Sequence, residues 1–274
     1  FVMVVRDGDF VGVLCEREDA SEQALDEIRV RWRENLDLPS DSDFPGILKE
    51  NAGEMVILRE EGSLAEEFAK ADHVLDGSYF IPYIANAPME PSAAVASWED
   101  GKLTVWSGDR SPFGVRDQLA RDLDMREDQV RVIAPEIGGS FGTKGTVGVA
   151  QEAAVLAKAA GRPVRVAHSR SEEFMWGTVR PAALFEIRSG FNADGQIVAW
   201  EYTAYHTGDR PQRGQRGADT PYNTPNVRIA VADSASPLRT GSYRSLGCAA
   251  NHFAREIHID EIAATLNMDP VELR

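Results

Sequence analysis

Val130-Arg131-Val132-Ile133-Ala134-Pro135-Glu136-Ile137-Gly138-Gly139-Ser140-Phe141-Gly142-Thr143-Lys144 passes from an apolar, β-branched run into a glycine-dense segment. An Ala-rich run, about Val147–Ala160, follows with helical spacing, and Gly161-Arg162-Pro163 stops it. The order predicts a strand, a glycine loop and a helix. Glycines there let backbone amides approach an anionic or oxo-bearing ligand, and a helix N-terminus adds favourable potential. From these residues alone the loop is equally a ligand cradle or a structural turn. A phosphate-loop NTPase would need glycine directly before the lysine and Ser or Thr after it. Thr143 precedes Lys144, no Ser or Thr follows directly, and GxGxxG is absent, so nucleotide binding is disfavoured.

Upstream of this segment, strand patterns recur at Val74–Ile81, Ala93–Trp98 and Leu103–Trp106. Ser111-Pro112 opens a helix whose Phe113, Leu119 and Leu123 suit one face. Downstream, Val164–His168 is strand-like, and Phe185–Phe191 and Ile197–His206 flank Asn192-Ala193-Asp194-Gly195 as a hairpin. Gln212–Pro225 reads as a long loop and Val227–Ala232 as a strand. The loop Ser236–Leu246 leads into a helix, about Ala249–Leu266, with Phe253, Ile257, Ile262 and Leu266 for packing. At the front, Phe1–Val5 and Phe10–Cys15 read as a hairpin. Asp19 and Glu22 form a capping box for the helix Ser21–Ile28, and Val30 and Trp32 alternate like a strand. Residues 34–72 are dense in Asp, Pro, Gly and Glu and read as a connector with one short helix. The prediction is an α+β chain of mixed β-sheets and helices, divided into a small unit at 1–33, the connector at 34–72 and one larger domain at 73–274. Asp269-Pro270-Val271-Glu272 announces a further helix, so the natural polypeptide is expected to continue or another chain to supply the rest.

With 44 acidic against 29 basic residues the formal charge is -15, which repels nucleic acid and anionic membrane surfaces at long range. No apolar run approaches the roughly 18 residues of a membrane span. Cys15 and Cys248 cannot build a four-thiolate iron–sulfur or zinc site, and they fit a reducing compartment. A cytoplasmic location is expected, with the periplasm left open. The histidines at 73, 168, 206, 252 and 258 lack metal-ligand spacing, and no metal ligand is assigned.

Gly138-Gly139-Ser140-Phe141-Gly142-Thr143-Lys144 resembles the GGGFGxK segment of the molybdenum hydroxylases of the xanthine dehydrogenase and aldehyde oxidase family. Three further segments agree in order. Pro88-Met89-Glu90-Pro91 is similar to the family's MEP segment, Ser111–Arg116 with Leu119, Ala120 and Leu123 to the helix ahead of the glycine loop, and Ser242–Gly247 to its aromatic-Arg-Gly loop. The resemblance covers 72–274, and 1–32 is similar to the last part of the small hammerhead-like domain that precedes the molybdenum region.

This resemblance implies a partial large subunit that oxidises an aldehyde or an N-heteroaromatic compound with water as the oxygen source. It implies molybdopterin as cofactor, in bacteria more commonly as the cytosine dinucleotide. Partner subunits would carry iron–sulfur and flavin centres, and a missing C-terminal half or companion subunit would supply the catalytic glutamate. Gly139, Ser140, Phe141, Gly142 and Arg110 are the expected cofactor contacts, although Arg110 stands where many members carry glutamine. Arg244 is the expected catalytic contact, stabilising charge that develops on the substrate, with its loop and the glycine loop brought to one face. Ser245 takes the place of the copper-binding cysteine of carbon monoxide dehydrogenases, disfavouring that subfamily. Glu90 reads as a brace in preference to an acid or base, and Cys248 as a buried, inert thiol. Arg110 and the partial length keep open a cofactor-free assembly or binding fragment of the same fold.

Overall fold

The computed structural model describes residues 2–31, 33, 40, 43–145, 148–208 and 214–274. Trp32, Val147, Gln212 and Arg213, each assigned above to an element, lie outside them. The chain runs β1 (Val2–Asp7), β2 (Phe10–Cys15), α1 (Glu18–Asp26), α2 (Phe44–Glu50), β3 (Val56–Glu61), α3 (Leu64–Lys70), β4 (His73–Ile81) and β5 (Ile84–Ala85). It continues through β6 (Ala93–Glu99), β7 (Lys102–Ser107), α4 (Pro112–Asp122), β8 (Val130–Ile133), α5 (Gly148–Ala160), β9 (Val164–Ala167) and α6 (Arg170–Trp176). Last come β10 (Val179–Arg180), β11 (Ala183–Phe191), β12 (Ile197–Thr207), β13 (Val227–Ser234), α7 (Gly247–Leu266) and α8 (Pro270–Leu273). The fold is α+β with mixed sheets. By contacts it forms two compact units, residues 1–36 with 87–177 and residues 37–86 with 178–274.

The first unit carries a four-stranded sheet in the order β8-β7-β6-β9, parallel between β7 and β8 and antiparallel elsewhere. Helix α5 covers it closely because the buried face is mostly alanine, at Ala150, Ala153, Ala154 and Ala157. These meet Ala94, Ala96, Leu103 and Val105 of the sheet in one core. The β1–β2 hairpin turns at Gly8, whose φ of +58° suits glycine, and adds Val5 and Leu14 to that core. Helix α1 starts at Glu18 without the expected capping box, because the Asp19 carboxylate is taken by Arg17 at 2.7 Å. Residues 29–31 form no strand. In α4 the inward stripe is Val115, Leu119 and Ala120; Phe113 lies about 200° around the helix from Val115, is 72% exposed, and sits beneath the Arg116 guanidinium.

The second unit is built on a five-stranded sheet, β3-β13-β12-β11-β4, with β12 and β13 parallel and the other pairs antiparallel. Alternation along the central strands buries both faces. Phe185, Tyr202 and Ile229 join the α7 side, while Leu184, Tyr205 and Ala232 meet Leu48 of α2. Residues 34–72 are therefore not simply a connector, since α2, β3 and α3 fall within them. Val56-Ile57-Leu58-Arg59-Glu60-Glu61 is an exposed edge strand, so it shows no inward alternation to read.

Helix α7 also differs from expectation. Phe253 and Ile257 are exposed, and the buried stripe is Ala250, Asn251, Ala254, Arg255, His258, Ile259 and Ile262. Its polar members are each satisfied, as burial demands. Asn251 accepts from the Tyr202 hydroxyl at 2.6 Å and donates to Gly214 O and Arg216 O. Arg255 donates to Gly217 O and Asp219 O, and His258 contacts Tyr79 Oη through Nδ1 and Ser189 Oγ through Nε2. Burial holds His258 neutral, pushing its pKa down to about 4.

Candidate cofactor and substrate site

The glycine loop belongs to the first unit. Strand β8 ends at Ile133 and the chain turns through Gly139 (φ +95°), Phe141 (φ +52°) and Gly142 (φ +116°), three left-handed backbones within four residues. A Cβ on Gly138 would come 2.6 Å from the Glu90 side chain, so that position also excludes larger residues. The Ser140 hydroxyl closes the turn by accepting from Lys144 N at 3.1 Å. Lys144, almost fully buried, donates its ammonium to Glu90 Oε2, which also accepts from Gly138 N at 2.9 Å. The lysine partner and the Gly138 amide together hold the Glu90 carboxyl below its ordinary range. Asp109 lies nearby, buried and bonded to the Ser107 hydroxyl, and desolvation raises its carboxyl despite the field of Lys144.

This arrangement leaves a specific set of donors. Gly138, Gly142 and Lys144 have their amides engaged, whereas those of Gly139 and Ser140 have no hydrogen-bond partner among the described residues. Phe141 is half-exposed beside them. Arg110 N donates to Lys144 O, and the Arg110 side chain lies over Gly145, where a Cβ would come 3.2 Å from Nε. A loop with unpartnered amides at Gly139 and Ser140, no room for a side chain at position 138 and a neighbouring guanidinium fits an oxygen-rich, anionic cofactor. An open cleft of about 180 Å³ in this unit is lined by Glu90, Trp106, Pro135, Lys144 and Arg165 among others.

Arg244 belongs to the second unit. Strands β5 and β10 pair there, Val179 N donates to Arg239 O, Gly241 N donates to Val179 O, and Asn86 Nδ2 donates to Ser242 O at 3.0 Å. Those bonds pin the chain on either side of Thr240. Ser245 (φ +70°) and Leu246 (φ +52°) then turn it into α7. Arg244 is exposed and makes no hydrogen bond or ion pair among the described residues. Cys248, expected to be buried, is half-buried and carries no disulfide. Thus Gly139, Ser140, Phe141, Gly142 and Arg110 lie together in one unit, and Arg244 stands in the other.

A family model described as the molybdopterin cofactor-binding domain matches residues 48–274. The chain belongs to that family. A nicotinate dehydrogenase subunit of Pseudomonas putida is 32% identical over 292 residues, covering the whole chain but 24% of the relative. A probable xanthine dehydrogenase subunit of Bacillus subtilis is 30% identical, covering 97% of this chain and 38% of its own length. Among solved structures, quinoline 2-oxidoreductase from Pseudomonas putida 86 superposes with a TM-score of 0.82 at 25% identity, over 96% of this chain and 36% of that one. The chain therefore spans roughly a quarter to two-fifths of the length of these relatives.

Sequence reasoning missed how the family's motifs join. It read Glu90 as a brace, as the structure bears out, but took Lys144 only as a failed phosphate-loop lysine and did not see that Glu90 braces the loop by pairing with it and accepting from Gly138 N. The signal was a lone acid in Pro88-Met89-Glu90-Pro91 and a lone lysine closing the glycine segment, 54 residues apart in sequence. Arg180 escaped notice because no strand pattern was read there, and His206 was noted only as a histidine without metal-ligand spacing.

Proposed function

We propose that this chain is the cofactor-holding first portion of a molybdenum hydroxylase large subunit that oxidises an aldehyde or an N-heteroaromatic compound with water as oxygen source. The observation that carries the reading is the loop at 139–142, where three left-handed residues expose the amides of Gly139 and Ser140. When bound, the molybdenum cofactor supplies two-electron oxidation at carbon. Within this chain, the Gly139 and Ser140 amides and Arg110 bind its oxygens, Phe141 shields it from water, and Lys144 with Glu90 keeps the loop in shape. Arg244 orients the substrate and meets negative charge that develops on it.

The name of the Pseudomonas putida relative as a subunit supports the existence of partner subunits; that these carry iron–sulfur and flavin centres, and that the remaining cofactor cradle and the catalytic glutamate lie outside this chain, is part of the proposal. The β1–β2 hairpin and α1 we assign to the end of a hammerhead-like domain at 1–33, and 73–274 to the cofactor-binding domain. The cytosine dinucleotide form of molybdopterin and a cytoplasmic location complete the proposal. Purification of the whole subunit with its partners, followed by molybdenum and pterin analysis and turnover on aldehydes and N-heteroaromatics, tests it. An intact, folded assembly without molybdenum or pterin would refute it and leave the cofactor-free reading.

A further inference from the structure

The second unit encloses a cavity of about 40 Å³ beneath the 240–247 segment, lined by Arg180, His206, Asp233, Tyr243 and Gly247 among others. At roughly 10–15 Å³ for each water-sized group it holds about three such groups. Its polar walls are short of partners. His206 is only 5% exposed, yet its Nε2 has no hydrogen-bond partner among the described residues. The buried Nε of Arg180 also lacks one. Arg180 donates Nη2 to Pro82 O and rests on the Tyr243 ring at 5.4 Å, and no carboxylate pairs with it among the described residues. An unpaired, half-buried guanidinium is conspicuous in a chain with 44 acidic residues. The first turn of α7, a 20-residue helix without a side-chain N-cap, forms another wall.

The geometry points to a subsite for the carboxylate end of a small organic substrate, gripped by Arg180 Nε, His206 Nε2 and the start of α7. Three heavy atoms fill the available space, and each unpartnered wall offers a donor once His206 carries its proton on Nε2. Burial keeps that imidazole neutral, its pKa pushed down to about 4, so it serves as a single N–H donor near neutral pH. Asp233, paired across the sheet with His206, is the one carboxylate in the lining. Burial raises its pKa and no cation among the described residues pairs with it, so it opposes an anion and sets the polarity of that wall. Arg244 follows Tyr243 directly, so a cavity-lining residue adjoins the proposed substrate contact in the chain. This inference rests on the reading of Arg244 as a substrate contact and narrows it to carboxylate-bearing substrates.

Calorimetric titration of the whole purified subunit with benzoate, and with benzamide as its neutral isostere, tests the subsite. Benzoate should bind at least about tenfold more tightly than benzamide, in keeping with charge-assisted pairing. Arg180→Gln should remove that preference, Arg180→Lys restore part of it, and Asp233→Asn tighten benzoate. Equal binding of the two probes, or no benzoate binding at millimolar concentration, would overturn the proposal without any variant having to fold. Oxidation of quinoline, which has no carboxylate, reads the functional proposal separately. A subunit that oxidises quinoline but ignores benzoate defeats only the subsite, and one that binds benzoate without molybdenum or pterin defeats only the hydroxylase reading.

Discussion

The two units fix the loops that we propose as ligand contacts in opposite ways. In the first, the glycine loop is shaped by its own backbone and by one ion pair beneath it, Lys144 with Glu90. Its outward groups are amides, which a side-chain substitution cannot remove but can misplace. In the second, strand pairing and the Asn86 bond to Ser242 O fix the main chain, and the groups on offer are side chains, the exposed Arg244 and the half-buried Arg180. A backbone device suits a constant cofactor. A side-chain device suits a substrate that varies between relatives.

The sharpest break between the two would be kinetic. Arg244→Ala in the assembled enzyme should lower turnover on the order of 100- to 1,000-fold, as loss of one oriented donor does, with molybdenum content nearly unchanged. Gly142→Val should do the reverse. Its φ of +116° is strained for a β-branched residue, so cofactor content should fall first. Loss of metal in Arg244→Ala with metal retained in Gly142→Val would exchange the roles of the two loops.

The second effect belongs to the ion pair. Glu90→Ala leaves the buried Lys144 ammonium with only the more distant Asp109, and removing one partner of a buried pair costs about 3–5 kcal/mol. Glu90 is 45% exposed, which puts the expected loss at the lower end, about 3 kcal/mol. Lys144→Met should cost less, because the stranded Glu90 carboxylate reaches water. Urea unfolding of the two variants decides the order, and a smaller loss in Glu90→Ala than in Lys144→Met would show that Lys144 does not depend on Glu90.

A third contrast is in pH response. His206 and His258 in the second unit both have folded pKa values of about 4 against 6.5 for the free side chain. A depressed folded value means that the unfolded chain binds protons first. Stability should therefore fall as pH drops below about 6.5, by about 1.4 kcal/mol per pH unit for each histidine, until the folded pKa is reached. His168 in the first unit behaves oppositely, since Glu152 raises its pKa and favours the charged form. Unfolding midpoints of wild type and His258→Gln between pH 6.5 and 5 should show a shallower slope in the variant, and parallel slopes would mean that His258 is not held neutral.

Legibility in the sequence divides along similar lines. The central strands, the glycine turn and the Ala-rich helix α5 were readable because burial on one or both faces imposes a period. The edge strand β3 was not, since exposure removes the period. Helix α7 misled because its inward stripe uses Asn251, Arg255 and His258, whose partners outside the helix lie 35 to 179 residues away in sequence. The site was legible as motifs, through Gly139–Gly142 and Arg244. Glu90 pairing with Lys144, and the unpartnered edges of Arg180 and His206, are facts of three-dimensional packing that spacing does not encode.

The smallest expected effect tests whether a cap that spacing does encode matters once packing is complete. Asp269 accepts from Val271 N at 2.7 Å ahead of Pro270, as the sequence pattern predicts. Caps of this kind contribute about 0.5–2 kcal/mol. Here the helix is a single turn, and two other contacts hold it. Leu273 packs against the second unit's core, and Arg274 bonds to Glu256 and Asp260. With those anchors in place, Asp269→Ala should cost no more than about 0.5–1 kcal/mol, seen as faster amide exchange at Val271 and Glu272 with little change in the global midpoint. A global loss well above that range would mean that the cap orders Leu273 and Arg274, and that this end of the unit is assembled from its local signals outward.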